Sequence, residues 1–219
     1  MLMEMESNLH NGYVEAYKLA AGKLASLDPF IVCHNTGAEY NYPASVYKIK
    51  YINREYCFDN ITHKFYAQDE CRQPTATESV LVLHYMVNAC FTQPAEEKIS
   101  FREIPGAGNI YYPAFKKRAI DPLVSMFSKD PEKLKYNAAV LGGKSESFGN
   151  SSVTLYILPY VYVTYIVWLG DDEIPASGTI LFDKNIISFL SGEDIVIAAS
   201  FGVYELMGIK TDSNKGGRQ

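Results

Sequence analysis

From Ser152 to Leu169 the chain is built almost wholly of β-branched, aromatic and aliphatic residues, interrupted once, at Pro159. Such side chains suit a pleated, packed surface, and a proline within the run marks where one strand ends and the next begins. Ser152–Leu158 and Tyr160–Leu169 are therefore predicted as consecutive strands. In the second, both alternating sets are apolar: Tyr160, Tyr162, Ile166 and Trp168 on one side, Val161, Val163, Tyr165 and Val167 on the other. A strand of that kind belongs in the middle of a sheet covered on both faces. On this expectation Trp168→Ala costs roughly 3 kcal/mol or more, through lost burial and an unfilled cavity.

The rest of the chain supplies helices for such a sheet. Leu9, Tyr13, Ala16, Tyr17, Ala20 and Leu24 recur at spacings of three and four, predicting an amphipathic helix from Asn8 to Leu27 that Asp28-Pro29 ends. Phe30–Cys33 reads as a short strand, and Val46–Ile52 with Tyr56–Phe58 as a β-hairpin about Asn53-Arg54-Glu55. Thr75 and Glu78 have capping-box spacing, predicting a helix from Ala76 whose body, Val80–Phe91, is apolar nearly all round. Lys98–Arg102 reads as a short strand, and a helix from Ala114 is expected to break or kink at Asp121-Pro122. Asp130-Pro131-Glu132 restarts a helix that Gly142-Gly143 stops. Thr179–Phe182 is a further strand, and Ser191-Gly-Glu-Asp194 opens a last helix through Leu206. The order predicts one compact α+β domain over 1–210, a mixed or mainly antiparallel sheet with helices packed on it, and a flexible tail at 211–219.

Composition narrows the function classes. The chain has 219 residues, 47% of them hydrophobic, enough to bury a sizeable core. Its 25 acidic and 20 basic residues give a net charge of −5, which offers no field to draw it to nucleic acid or to an anionic membrane. Met1–Glu6 lacks the basic flank and apolar run of a signal peptide, and no stretch reads as a spanning helix. A cytoplasmic location is expected. Cys33, Cys57, Cys71 and Cys90 are widely and unequally spaced, which suits reduced core thiols better than a disulfide framework or a metal knuckle. A site gathering Cys33, His34, His63 and Cys71 is the metal alternative. No nucleotide-binding, zinc-protease or nucleophile-elbow signature occurs, and Leu141-Gly-Gly-Lys-Ser145 follows a helix rather than a strand, as a helix stop does.

The densest polar constellation lies in the last third: Asp171, Asp172 and Glu173 at one strand end, Asp183 after the next strand, Glu193 and Asp194 at a helix start. Gathered in one pocket, these carboxylates are able to hold a divalent cation or to divide into acid and base. Dispersed, they are turn residues and helix caps. Seventeen tyrosines are many for this length, and Tyr40, Tyr42, Tyr47, Tyr51, Tyr56, Tyr111 and Tyr112 fall in or near predicted loops and hairpins. An exposed group of them suits a binding surface or pocket.

Leu158-Pro159, Trp168-Leu-Gly-Asp171-Asp172-Glu173-Ile-Pro175, Leu181-Phe182-Asp183 and Glu193-Asp194 together resemble an uncharacterised prokaryotic family catalogued as a domain of unknown function. Ile99-Ser-Phe-Arg102-Glu103 and the Ala-rich Asn137–Gly143 resemble it too. The resemblance implies anaerobic bacteria and archaea, with relatives fused to a four-cysteine iron–sulfur module associated with corrinoid proteins of one-carbon metabolism. This chain has no close cysteine quartet, so cluster binding does not transfer to its residues. The leading expectation is a non-catalytic accessory or small-ligand-binding protein in a corrinoid or iron–sulfur setting. Trp168, Asp171, Asp172, Glu173, Asp183, Glu193 and Asp194 are its candidate site residues; ligand, cofactor and protein partner stay unassigned. One alternative is a divalent-metal or acid–base enzyme using the same acids, for which three of them must converge in a pocket. The other is a structural protein that forms a homo-oligomer through a tyrosine-rich surface.

Overall fold

A computed structural model describes residues 2–68, 72–93, 95 and 97–208, with side chains described from residue 12 onward. The expected tail, 211–219, and Cys71 lie outside these residues. By their contacts the residues group into two compact units, Met1–Phe91 and Thr92–Gln219. Each unit has its own helices and sheet, and both sheets are antiparallel throughout. The α+β class is as the sequence predicts, with the strands divided between two sheets.

In the first unit, helix α1 (Leu2–Ala25) packs against α3 (Ala76–Asn88). Between them in sequence lie α2 (Pro29–Thr36) and the strands β1 (Glu39–Asn41), β2 (Val46–Tyr51), β3 (Arg54–Asp59) and β4 (Lys64–Ala67), paired in that order as a meander. The expected strand at Phe30–Cys33 is instead the body of α2. Asp28 and Pro29 both stop α1 and start α2: the Asp28 carboxylate accepts the Phe30 amide, Pro29 occupies the first turn, and Gly37, at φ 66°, closes the far end. Two tyrosine hydroxyls tie the helices to their surroundings. Tyr85 of α3 donates to the Thr36 carbonyl at 3.0 Å. Tyr17 of α1 donates to the His63 carbonyl and accepts the Phe65 amide at 2.9 Å, covering part of the β4 edge. The Thr75–Glu78 capping box is present as read from the sequence. Tyr47, Ile49 and Tyr51 of β2 are buried, as are Tyr56 and Phe58 of β3, so these tyrosines are core residues rather than a binding surface.

In the second unit the sheet order is β5–β9–β8–β7–β6, from β5 (Lys98–Ser100), β6 (Lys144–Glu146), β7 (Ser151–Leu158), β8 (Val161–Trp168) and β9 (Ser177–Asp183). The two-sided run thus occupies the central strand, β8. Val163, Tyr165 and Val167 are fully buried beside Val153, Leu155 and Ile157 of β7 and Ile180 and Phe182 of β9. Helix α7 (Gly192–Leu206) lies close to this layer: Tyr165 donates to the Ala199 carbonyl at 3.1 Å, and a Cβ added at Gly202 would collide with the Tyr165 hydroxyl. Helix α4 (Tyr112–Phe115), a π-helical turn over Lys116–Ile120 and α5 (Asp121–Phe127) run on without a break. The expected kink at Pro122 is taken up by that wider turn, in which the Asp121 amide reaches back to the Lys116 carbonyl, giving room to a ring that would otherwise crowd the preceding turn. Asp130 caps α6 (Pro131–Val140), and Gly142 at φ 74° follows its end. The strand expected over Lys98–Arg102 stops at Ser100, where a 3-10 turn, Phe101–Glu103, begins.

Candidate functional site

The acidic sequence Asp171-Asp172-Glu173 forms the link between β8 and β9. Asp171 organises it: its carboxylate accepts the amides of Glu173 at 2.9 Å and Ile174 at 2.7 Å, while its own amide donates to the Ile174 carbonyl at 2.9 Å. Those two amides hold the Asp171 carboxyl below its usual range, the Ile174 bond contributing most. Asp172, Glu173 and Ile174 are left pointing at solvent from a fixed turn, Ile174 with 64% of its surface exposed. Trp168 sits at the last position of β8, opposite Ser177, and is 39% exposed; Leu169 beside it is 40% exposed. This corrects the expectation of a buried tryptophan. The alternation assigns Trp168 to a face of the strand, but the sheet ends there and the ring is only partly covered. Gly149, in the loop before β7, lies against the Trp168 indole, and Asn150 accepts the Leu169 amide at 2.9 Å.

The other candidate acids lie elsewhere. Asp183 closes β9 at the end opposite Ser177, and the strand's seven residues span roughly 20 Å. Its carboxylate accepts the amides of Ala95 at 3.1 Å and Asn185 at 2.9 Å, capping the 3-10 turn Lys184–Ser188. Asp194 is buried in the first turn of α7, where its amide donates to Ser191 Oγ and its carboxylate accepts the Ser191 hydroxyl at 2.6 Å. Glu193 beside it is exposed at a helix start that favours negative charge. Asp171, Asp172 and Glu173 are therefore neighbours, and Asp183 and Asp194 are caps. Among the described residues no three His, Cys, Asp or Glu side chains come together to hold a metal ion.

A concavity of about 600 Å³ opens on the outer face of the first sheet. Its floor is a single cross-strand row, Glu39 of β1, Lys48 of β2, Cys57 of β3 and Tyr66 of β4, each paired with the next. These residues stand nine apart in sequence. Tyr40 and Gln68 also line the groove. Burial pushes the Cys57 thiol up, against the opposing effects of a Tyr66 hydrogen bond and the Lys48 ammonium. Lys48 turns to Glu55 at 2.9 Å, which raises its own pKa, and Glu39, at the β1 end of the row, is exposed. Of these residues the sequence marks Tyr40 as a binding candidate and leaves the row of four unconnected, because register, not proximity in the chain, brings it together.

These observations define an α+β protein with a polar groove on a sheet face and an exposed acidic turn. Residues 28–205 match the family described as a domain of unknown function (DUF3786), and the protein belongs to that family. The match runs from the start of α2 nearly to the end of α7, through both units. No curated protein and no solved structure matches the chain. Among the described residues no helix is long and apolar enough to cross a membrane.

Proposed function

We propose that the protein is a non-catalytic binding protein that holds a small organic ligand in the groove of the first sheet. The observation that carries this reading is the row Glu39–Lys48–Cys57–Tyr66 at the floor of an open concavity of about 600 Å³. That volume falls within the range of small-molecule sites, which combine apolar walls with a few placed polar groups. Tyr40 and Tyr66 offer ring surface for a planar or apolar body, and Glu39 and Lys48 offer both signs of charge for its ends. The Lys48–Glu55 pair is open to solvent, where such pairs contribute little, so a ligand anion displaces Glu55 at little cost. A whole corrinoid is larger than a ligand of this class. In the corrinoid or iron–sulfur setting that the family resemblance implies, the protein then serves as an accessory to other proteins rather than as the carrier of the macrocycle.

The test is a thermal-shift series with amino acids, nucleotides, flavins, cobalamins and divalent metals, run on the native chain and on Tyr66→Ala and Lys48→Ala. A ligand that binds only the folded state raises its midpoint. A small organic compound that does so for the native chain and not for the two variants supports the reading. Responses confined to divalent metals, or equal in all three proteins, overturn it.

A further inference from the structure

Independently of the groove, the link between β8 and β9 has the make-up of a protein-docking surface. Trp168, Leu169 and Ile174 are 39%, 40% and 64% exposed within one turn, and Phe148, next to the Gly149 that touches the Trp168 indole, is 43% exposed. Large apolar side chains exposed together and rimmed by polar groups mark interaction sites more often than bare surface does, and tryptophan is among the residues that anchor interfaces. The turn is already ordered by three hydrogen bonds around Asp171, so little conformational freedom remains to be lost on contact.

Charge selects the occupant. From Ser145 to Asp183 the chain has no Lys, Arg or His, while Asp171, Asp172 and Glu173 stand side by side and exposed in the turn. At the turn itself an anionic lipid surface or a nucleic acid would meet three carboxylates and no cation. A second copy of this chain meeting the turn across a two-fold axis would set the same three carboxylates against each other. We propose that the β8–β9 turn docks into a partner protein that presents an apolar cleft rimmed by Lys and Arg, with Trp168, Leu169 and Ile174 entering the cleft and Asp172 and Glu173 facing the rim.

Trp168 is the sole tryptophan of the chain and reports directly on this surface. The full-length protein is titrated with an amphipathic Leu/Lys peptide and with its Leu/Glu counterpart while Trp168 emission is followed. The expected result is a blue shift with the Leu/Lys peptide alone, at least about tenfold weaker in high salt and in Asp172→Lys/Glu173→Lys, whose substituted positions are exposed and leave the fold intact. No shift, an equal shift with both peptides, or an unchanged response in the variant overturns the proposal. The natural partner is sought with Ile174→p-benzoylphenylalanine in cells that express the chain. A photo-adduct to a protein whose joined peptide lies among Lys or Arg residues, and that is lost on adding Asp172→Lys/Glu173→Lys, supports the proposal. An adduct to a second copy of this chain, to lipid, or no adduct at all, overturns it.

Discussion

Thr164 donates its hydroxyl proton to Thr154 across the β7–β8 pair, at 2.8 Å. The direction follows from proton count. Thr154 has one hydroxyl hydrogen and gives it to Glu146 at 2.8 Å, and Thr164 in turn accepts from the Lys98 ammonium at 3.0 Å. The result is an oriented chain, Lys98 to Thr164 to Thr154 to Glu146, on one face of the second sheet, with both threonines buried. Hydrogen bonds arranged in series polarise one another. Thr164→Val removes the central link and leaves a buried hydroxyl without its donor, at a cost of about 1–3 kcal/mol. Urea unfolding of Thr154→Val, Thr164→Val and the double variant checks this, the double variant losing less than the sum of the two singles.

Gly202→Ala tests how tightly α7 seats on its sheet. An added Cβ meets the Tyr165 hydroxyl, comes within 2.8 Å of the ring carbon that bears it, and within 2.9 Å of Ile157 Cδ1. Tyr165 is fully buried and bonded to Ala199, so it has nowhere to move. The better helix propensity of alanine, worth up to about 1 kcal/mol, is outweighed by overpacking of about 1–3 kcal/mol. A lowered unfolding midpoint is expected, and a raised one would show that the helix can lift away.

Trp168→Ala, by contrast, is expected to cost about 1–2 kcal/mol, less than truncation of a fully buried ring, because part of the indole already faces water. The same exposure, beside three carboxylates, predicts that caesium quenches Trp168 fluorescence more efficiently than iodide does at equal ionic strength. Equal quenching would mean that the acids do not shape the field at the ring.

Asp171 gives the turn a pH dependence of definite sign. Its folded pKa lies below the ordinary value of 3.8 because the Ile174 and Glu173 amides bind the carboxylate. The stabilisation is therefore complete above the ordinary carboxylate range and is lost as pH falls through the lowered midpoint. Amide proton shifts of Glu173 and Ile174, followed by NMR on acidification, should titrate together with a midpoint under 3.8. Asp171→Ala should abolish that titration while the sheet amides stay protected from exchange.

What was legible in the sequence was whatever is encoded within four residues or by long periodicity. Thr75 with Glu78, Asp130 with Pro131, Ser191 with Asp194, and the doubly apolar β8 all read correctly because cap chemistry and strand alternation are local. Phe30–Cys33 reads as a strand although Asp28-Pro29 before it carries the same signature as Asp130-Pro131. The aromatic and β-branched residues that favour strands also suit an eight-residue helix once Asp28 and Gly37 cap both ends. The edge strands Glu39–Asn41 and Lys64–Ala67 are too short to show a period. In the candidate site, the acidic turn was visible as a run of Asp and Glu, but where the sheet ends at Trp168 is a tertiary fact that alternation does not encode. The capping roles of Asp183 and Asp194 are local and legible, whereas the Ala95 amide that Asp183 also accepts comes from 88 residues away and is not.

The nine-residue spacing of Glu39, Lys48, Cys57 and Tyr66 has a consequence for how this chain tolerates change. Side chains alternate faces with a period of two, so inserting or deleting one residue in a turn exchanges everything beyond it between core and solvent. One residue added between Tyr51 and Arg54 would carry Cys57 and Tyr66 into the core and bring Tyr56, Phe58 and Phe65 out to water. Each of the three hairpin turns already holds a residue in left-handed backbone, Ser45, Ile52 and His63, none of them glycine. Ile52 is moreover β-branched and buried, so its turn holds a conformation such residues rarely adopt. The turns of the meander are thus strict in length: a single-residue insertion or deletion dismantles the groove and the core of this unit together.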